Sequence, residues 1–277
     1  MNYKEVEFRL SPVLPAREVL TAYLAGIGYE SFVDTDEGLQ VFISEEEFNE
    51  TALTETIAEV TPFCEVSFEV KHHEKQNWNA QWESSFEPVE VGSTCRIRAP
   101  FHASKNGFEH EIIIEPKMSF GTGHHETTKT IIAAMSEIDF KNKTVLDMGT
   151  GTGVLAIYAE LLGATSLVAI DIEDWAYENT LENIEVNSCS KIIARLGGKE
   201  QIKEKEVFDV VIANINRNIL LEDMHAYADA MKGGAALLLS GFYALDVVVI
   251  TQKAAEFDLS PFFQKEENSW TVLGFKK

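Results

Sequence analysis

Residues 145–153 constrain this chain more than any other stretch: Val145-Leu146-Asp147-Met148-Gly149-Thr150-Gly151-Thr152-Gly153. A short apolar run ending in a carboxylate and then three glycines in five residues is the signature of a β-strand turning sharply into a helix. Leu167-Val168-Ala169-Ile170-Asp171 follows and reads as the next parallel strand, again ending in an acid. Two strands of this kind form half of a nucleotide-type pocket. The glycines admit a close backbone approach to a ligand, and Asp171 is placed for ribose hydroxyls.

The cofactor has two readings. Gly151-Thr152-Gly153-Val154-Leu155-Ala156 fits the dinucleotide pattern G-x-G-x-x-A, with Asp171 at the expected distance. Asp147, placed at the mouth of its strand, argues against a pyrophosphate, because like charges would meet in a partly dry site. S-adenosylmethionine (AdoMet) has no phosphate and is cationic at its sulfonium and amine, so Asp147 and the Gly149/Gly151 turn favour it.

Phe208-Asp209-Val210-Val211-Ile212-Ala213-Asn214-Ile215 reads as a buried strand ending in an amide. At the carboxyl end of a doubly wound sheet, Asn214 could accept an N–H from a nucleophile. It could equally cap the helix starting near Arg217. Upstream, Ser119-Phe120-Gly121-Thr122-Gly123-His124-His125-Glu126-Thr127-Thr128 precedes a helical run from Thr127 to Ser136 and can fold over a cofactor. His124-His125-Glu126 does not make a metal site, since adjacent side chains diverge and no spaced partner accompanies them.

Taken together, the Phe120–Thr128 segment, the Asp147–Gly153 loop, Asp171 and Ala213-Asn214-Ile215 resemble the PrmA-type methyltransferases of bacterial ribosomal large-subunit protein eleven. The resemblance runs over the whole chain, including Trp78, Trp82 and the closing segment Trp270-Thr271-Val272-Leu273-Gly274. It implies that Thr128, Gly149, Asp171 and Asn214 contact AdoMet, that Phe120 and Gly121 help to close over it, and that the N-terminal third recognises the substrate. The acceptors it implies are lysine amines, with the N-terminal amine as a further candidate. Enzymes that methylate adenine or glutamine often end the Asn214 strand in Asn-Pro-Pro-Tyr. Here Asn214-Ile215-Asn216-Arg217 offers no ring for a flat acceptor, which is compatible with an aliphatic amine. No motif marks a general base, so Asn214 and nearby carbonyls are expected to aim the amine while solvent takes its proton.

With 277 residues, two domains are expected. Residues 1–71 read as βαββαβ, a ferredoxin-like α+β domain: strand Glu5–Leu10, helix Pro15–Gly26, hairpin Ser31–Asp34 with Leu39–Ile43, helix Glu46–Val60, strand Cys64–Val70. Residues 72–92 are the expected linker, with Trp78 and Trp82 as packing residues at the junction. Residues 93–277 alternate strand and helix, as a parallel α/β sheet requires. The resemblance completes this as a seven-stranded Rossmann-like AdoMet-dependent methyltransferase domain.

Charge limits the partners. The net charge is −22, and residues 1–70 carry Lys4, Arg9 and Arg17 against 13 Glu plus Asp34 and Asp36, a net of −12. Such a surface repels phosphate backbones, so direct nucleic-acid binding is disfavoured. It would draw in a basic protein, less strongly at high salt. Solubility alone also explains such acidity. Met1–Glu7 lacks a basic n-region and apolar h-region, and no apolar run has the length of a membrane span. Cys64, Cys95 and Cys189 are odd in number and scattered, as reduced thiols would be. A cytoplasmic monomer without metal is the resulting expectation.

Overall fold

The computed structural model describes residues 2–73, 86–117 and 119–277. They form two compact units, residues 1–85 and 86–277. Trp78 and Trp82, expected at the junction, lie outside the described residues. The expected linker 72–92 overlaps both units, because His72 and His73 close one strand and Val89–Val91 forms another.

The N-terminal unit contains β1 (Tyr3–Ser11), α1 (Ala16–Gly26), β2 (Ser31–Asp34), β3 (Gly38–Ser44), α2 (Glu50–Val60) and β4 (Glu65–His73). Its sheet has the order β2-β3-β1-β4 with every pair antiparallel. Alternation along β1 sends Val6, Phe8 and Leu10 into a core shared with Leu20, Leu24, Leu53 and Val60. The helix expected from Glu46 begins instead at Glu50. Asn49 sets that start, its side-chain oxygen accepting from the Thr51 and Ala52 amides at 3.0 and 3.1 Å, while Glu45–Glu47 form a turn.

The second unit opens with a small sheet of β5 (Val89–Val91), β6 (Cys95–Arg98) and β7 (His110–Ile113), followed by α3 (Glu126–Met135). The main sheet contains β8 (Thr144–Met148), β9 (Ser166–Asp171), β10 (Ile192–Leu196), β11 (Phe208–Asn214), β12 (Met231–Tyr243), β13 (Ser260–Glu267) and β14 (Trp270–Lys276). The helices α4 (Val154–Leu161), α5 (Asp174–Val186), α6 (Arg217–Asp229) and α7 (Val247–Ala255) are interleaved with them. The order is β10-β9-β8-β11-β12-β14-β13, parallel from β10 to β12, with β14 antiparallel to β12 and β13. Successive strand residues enter opposite cores: Val145 and Ile212 pack on one face, Leu146 and Val211 on the other. Burial on both faces explains why these strands read as continuous apolar runs.

Two elements run against local residue preference. Gly233-Gly234 lie inside β12, where pairing with β11 slips between Phe208 and Val210 and Gly234 takes φ +79°. The Val247–Ala255 helix was not expected, because Val247-Val248-Val249-Ile250 is β-branched; Ile250 and Ala254 anchor it. Cys64, Cys95 and Cys189 are free thiols, and burial pushes Cys95 and Cys189 up to about 12. No helix among the described residues is long and apolar enough to cross a membrane.

Candidate active site

The chain runs outward from β8 to β10 and then returns to place β11 on the other side of β8. In a parallel sheet the carboxyl ends of strands flanking such a reversal leave a crevice. A cavity of about 560 Å³ opens there, within the range of cofactor clefts. Its wall follows the sheet edge in strand order: Gly197 and Gly198 after β10, Asp171 ending β9, Gly149 and Gly151 after β8, Asn214 ending β11, Gly241 in β12 and Trp270 opening β14. Apolar side chains of Ile172, Trp175, Ile215 and Ile219 and the ring of Phe120 complete it.

The glycine turn is held by backbone geometry. Gly149, Gly151 and Gly153 have φ of +70°, +60° and +82°, where a side chain is strained. A Cβ on Gly149 would stand 2.1 Å from Ile215 Cγ2, and one on Gly151 would stand 2.2 Å from the Phe120 carbonyl oxygen. Every amide of the turn already has a partner within the protein. Gly149 and Thr150 donate to the Ile170 carbonyl at 2.8 and 3.1 Å, and Gly151 donates to Asp171 Oδ2 at 2.8 Å. Thr152 donates to the Phe120 carbonyl and Gly153 to the Thr150 carbonyl, both at 2.9 Å. A pyrophosphate needs free N–H groups at such a turn. None is offered here.

That observation replaces the argument from Asp147. Asp147 does not face the cavity; it is 1% exposed behind the turn, where Thr150 Oγ1 donates to its Oδ2 at 2.7 Å. Burial pushes its carboxyl up to about 7. Met148 and Gly149 take its place on the wall. Gly121 also stands behind the wall, its carbonyl accepting from Thr152 Oγ1 at 2.7 Å. Loop 119–125 is thereby bound to the glycine turn through Phe120 and Gly121. Thr127 lines the cavity, whereas Thr128 is fully buried one residue further on with its hydroxyl unpartnered among the described residues.

Asn214 is freed from the capping role. Asn216 caps α6, its side chain accepting from the Asn218 amide at 3.0 Å. Asn214 Oδ1 is buried on the cavity wall with no partner among the described residues. An orphaned acceptor inside a cavity is a position for a ligand's N–H. Asp171 uses Oδ1 for the Glu173 amide at 3.1 Å and Oδ2 for Gly151, and the residue lines the cavity with acceptor capacity to spare. The residues therefore fit a non-phosphorylated adenosine carrying a cationic group. His124 and His125 diverge as expected: His124 Nε2 lies 2.9 Å from the Glu87 carbonyl, while His125 caps α3. Among the described residues no cluster of metal-ligating side chains occurs.

Sequence reasoning missed His125, Trp175, Gly241 and Trp270 as wall residues. Trp270 is brought to the edge only because β14 runs antiparallel beside β12. Gly241 (φ +92°) allows the Ile215 carbonyl to pass 2.3 Å from where a Cβ would sit. Its position after the apolar run Ala235–Leu239 within β12 is the available signal.

Comparison with known proteins agrees with this geometry. The family model for ribosomal protein L11 methyltransferase (PrmA) matches residues 21–277. A ribosomal protein L11 methyltransferase of Phocaeicola vulgatus is 42% identical over 278 residues, and one of Bacteroides fragilis is 40% identical, each alignment covering 99% of both chains. The crystal structure of ribosomal protein L11 methylase from Lactobacillus delbrueckii subsp. bulgaricus superposes with a TM-score of 0.64 at 26% identity, over 69% of this chain and 98% of that one. With a family model spanning most of its length and relatives of this identity, the chain belongs to the ribosomal protein L11 methyltransferase (PrmA) family.

Proposed function

We propose that this chain transfers methyl groups from AdoMet to amino groups of ribosomal protein L11, on lysine side chains and at the N-terminus. The observation that carries the cofactor assignment is the fully partnered glycine turn beside an acidic, partly apolar cavity, which leaves no turn amide free for a pyrophosphate. The family supports the acceptor, since the family and the relatives matched are named for that substrate. Within this reading Asp171 receives the ribose hydroxyls, while Gly149 and Gly151 allow close approach. Phe120 and Gly121 cover the cofactor, and Thr128 offers a buried hydroxyl that still lacks a partner. Asp147 acts from behind the turn.

When bound, AdoMet supplies an electrophilic methyl carbon on a sulfonium whose sulfur leaves as a neutral thioether. The protein must position the amine and keep water out. A lysine near pKa 10.4 must first lose a proton, which costs about 4.6 kcal/mol at pH 7. The apolar wall of Phe120, Ile215 and Trp270 lowers that cost by disfavouring the ammonium. Asn214 Oδ1 accepts an N–H of the amine and turns its lone pair toward the methyl carbon.

We read the N-terminal unit, over residues 1–71, as a ferredoxin-like substrate-recognition domain. Its βαββαβ order and net charge of −12 over residues 1–70 support recruitment of a basic ribosomal protein by a cytoplasmic monomer. Incubating the purified chain with labelled AdoMet and a ribosomal-protein fraction tests the whole reading. A single labelled band at L11 is expected. Label on another protein or only on small molecules shifts the acceptor, and NADH binding without any response to AdoMet in calorimetry overturns the cofactor.

A further inference from the structure

We propose that His125 is the proton acceptor for the incoming amine, a role that rests on the methyl-transfer reading above. His125 lines the same cavity as Asn214, against Phe120 and Trp270. Its ring is fixed by both neighbours, with centroids 5.2 Å from Phe120 and 4.8 Å from Trp270, the latter at 71°. Nδ1 is anchored at the start of α3, accepting from the Thr127 amide at 3.3 Å and lying 2.9 Å from Thr127 Oγ1. Nε2 has no hydrogen-bond partner among the described residues. In the tautomer that carries its hydrogen on Nδ1, the 2.9 Å contact becomes a donation to Thr127 Oγ1, the longer 3.3 Å amide contact is given up, and the Nε2 lone pair is open.

The other titratable groups on this wall are engaged or unsuited. Asp171 accepts from two backbone amides, and Asp223 holds Lys199 Nζ at 2.5 Å. Burial pushes the Tyr227 phenol upward, away from neutral pH. Glu173 precedes α5 on the Asp171 side of the sheet. Around His125 itself, α3 contributes Glu126 and Lys129, the preceding loop contributes His124, and β13 contributes Glu267, which accepts from Thr130 Oγ1 at 3.0 Å. Trp270 of β14 and Phe120 bring no charge.

The step balances. The substrate ammonium gives one proton to Nε2, leaving a neutral amine and an imidazolium whose Nδ1–H donates to Thr127 Oγ1. The amine lone pair then forms the nitrogen–carbon bond as the carbon–sulfur bond of the sulfonium donor breaks. The half-exposed ring returns its proton to solvent before the next transfer.

His125→Asn is the informative variant, because Asn keeps a side-chain acceptor for the Thr127 amide at the cap but cannot titrate. Wild type and variant are compared for S-adenosylhomocysteine affinity by calorimetry and for kcat against pH with ribosomal protein L11. The expected result is affinity within about threefold of wild type, kcat lower by about a hundredfold, and loss of the acid-side limb of the wild-type pH profile. His125→Ala should regain rate with added imidazole. Full kcat with an unchanged pH profile in the Asn variant overturns the proposal. So does a loss confined to cofactor affinity, which would make His125 a cap alone. A wild-type chain that labels no ribosomal protein overturns the methyl-transfer reading itself.

Discussion

Asp147→Asn isolates the electrostatics behind the glycine turn. The carboxyl is 1% exposed, takes one hydrogen bond from Thr150, and leaves Oδ1 unpartnered among the described residues. Burial pushes it from an ordinary 3.8 up to about 7, with a smaller contribution from the Asp171 charge. Between those two values the folded state binds the proton and the unfolded state does not, so stability falls as pH rises through the interval. At 1.36 kcal/mol per pKa unit, the contribution present below pH 4 and lost above pH 7 is about 4 kcal/mol. An Asn keeps an acceptor for the Thr150 hydroxyl and does not titrate. Its extra N–H groups carry a constant cost of about 1–3 kcal/mol at every pH, which makes the slope rather than the level the informative quantity. Denaturant unfolding of both proteins from pH 5 to pH 8, without cofactor, should show the wild type losing ground steadily relative to the variant. Parallel curves across that range would refute the reasoning, since they would mean that Asp147 titrates alike in both states.

Asn214→Ala should lower kcat by one to two orders of magnitude while AdoMet affinity, measured by calorimetry, changes much less; the reverse pattern would remove its role in aiming the amine. Gly241→Ala meets the Ile215 carbonyl at 2.3 Å with φ +92°. The left-handed conformation alone costs about 1–2 kcal/mol, so a lower melting temperature and weakened S-adenosylhomocysteine binding are expected together. Glu111→Gln disturbs the small sheet. Burial alone would raise the Glu111 carboxyl, but hydrogen bonds from Arg98, Ser104, Arg96 and the Lys105 amide hold it at about 2. Its stabilisation is present above pH 4.5 and lost as pH falls toward 2. Removing the charge leaves the largely buried Arg98 guanidinium uncompensated and Arg96 with only the longer 3.8 Å pair to Glu90, at about 3–5 kcal/mol. Urea midpoints at pH 7 check this.

What could be read from the sequence followed from local rules. The strand–glycine–helix turn is written in nine consecutive residues, and Asp171 and Asn214 each close an apolar run, so their arrival at one edge follows from strand polarity. Asp147 was misplaced because the pattern gives its position but not the face it occupies; adjacent strand residues point oppositely, and Met148 holds the cavity side. The role of the turn's amides was also hidden, since their partners Ile170, Asp171 and Phe120 are remote in sequence. His125 and Trp270 reach the cavity only through tertiary packing. The helix 247–255 was obscured by β-branched residues whose local preference is overridden by burial of Ile250 and Ala254.

Tying loop 119–125 to the glycine turn has a consequence for turnover. Thr152 grips that loop twice, amide to Phe120 carbonyl and hydroxyl to Gly121 carbonyl. Roof and floor of the chamber therefore behave as one piece, and spent thioether cannot escape by lifting the roof without breaking both bonds. Exchange is left to the outward-lying side chains at the doorway, where Phe120, Ile172 and Trp175 are each more than half exposed. Rotamer changes of such residues take nanoseconds or less, so the exit can open quickly while the backbone that orients the next donor stays in register.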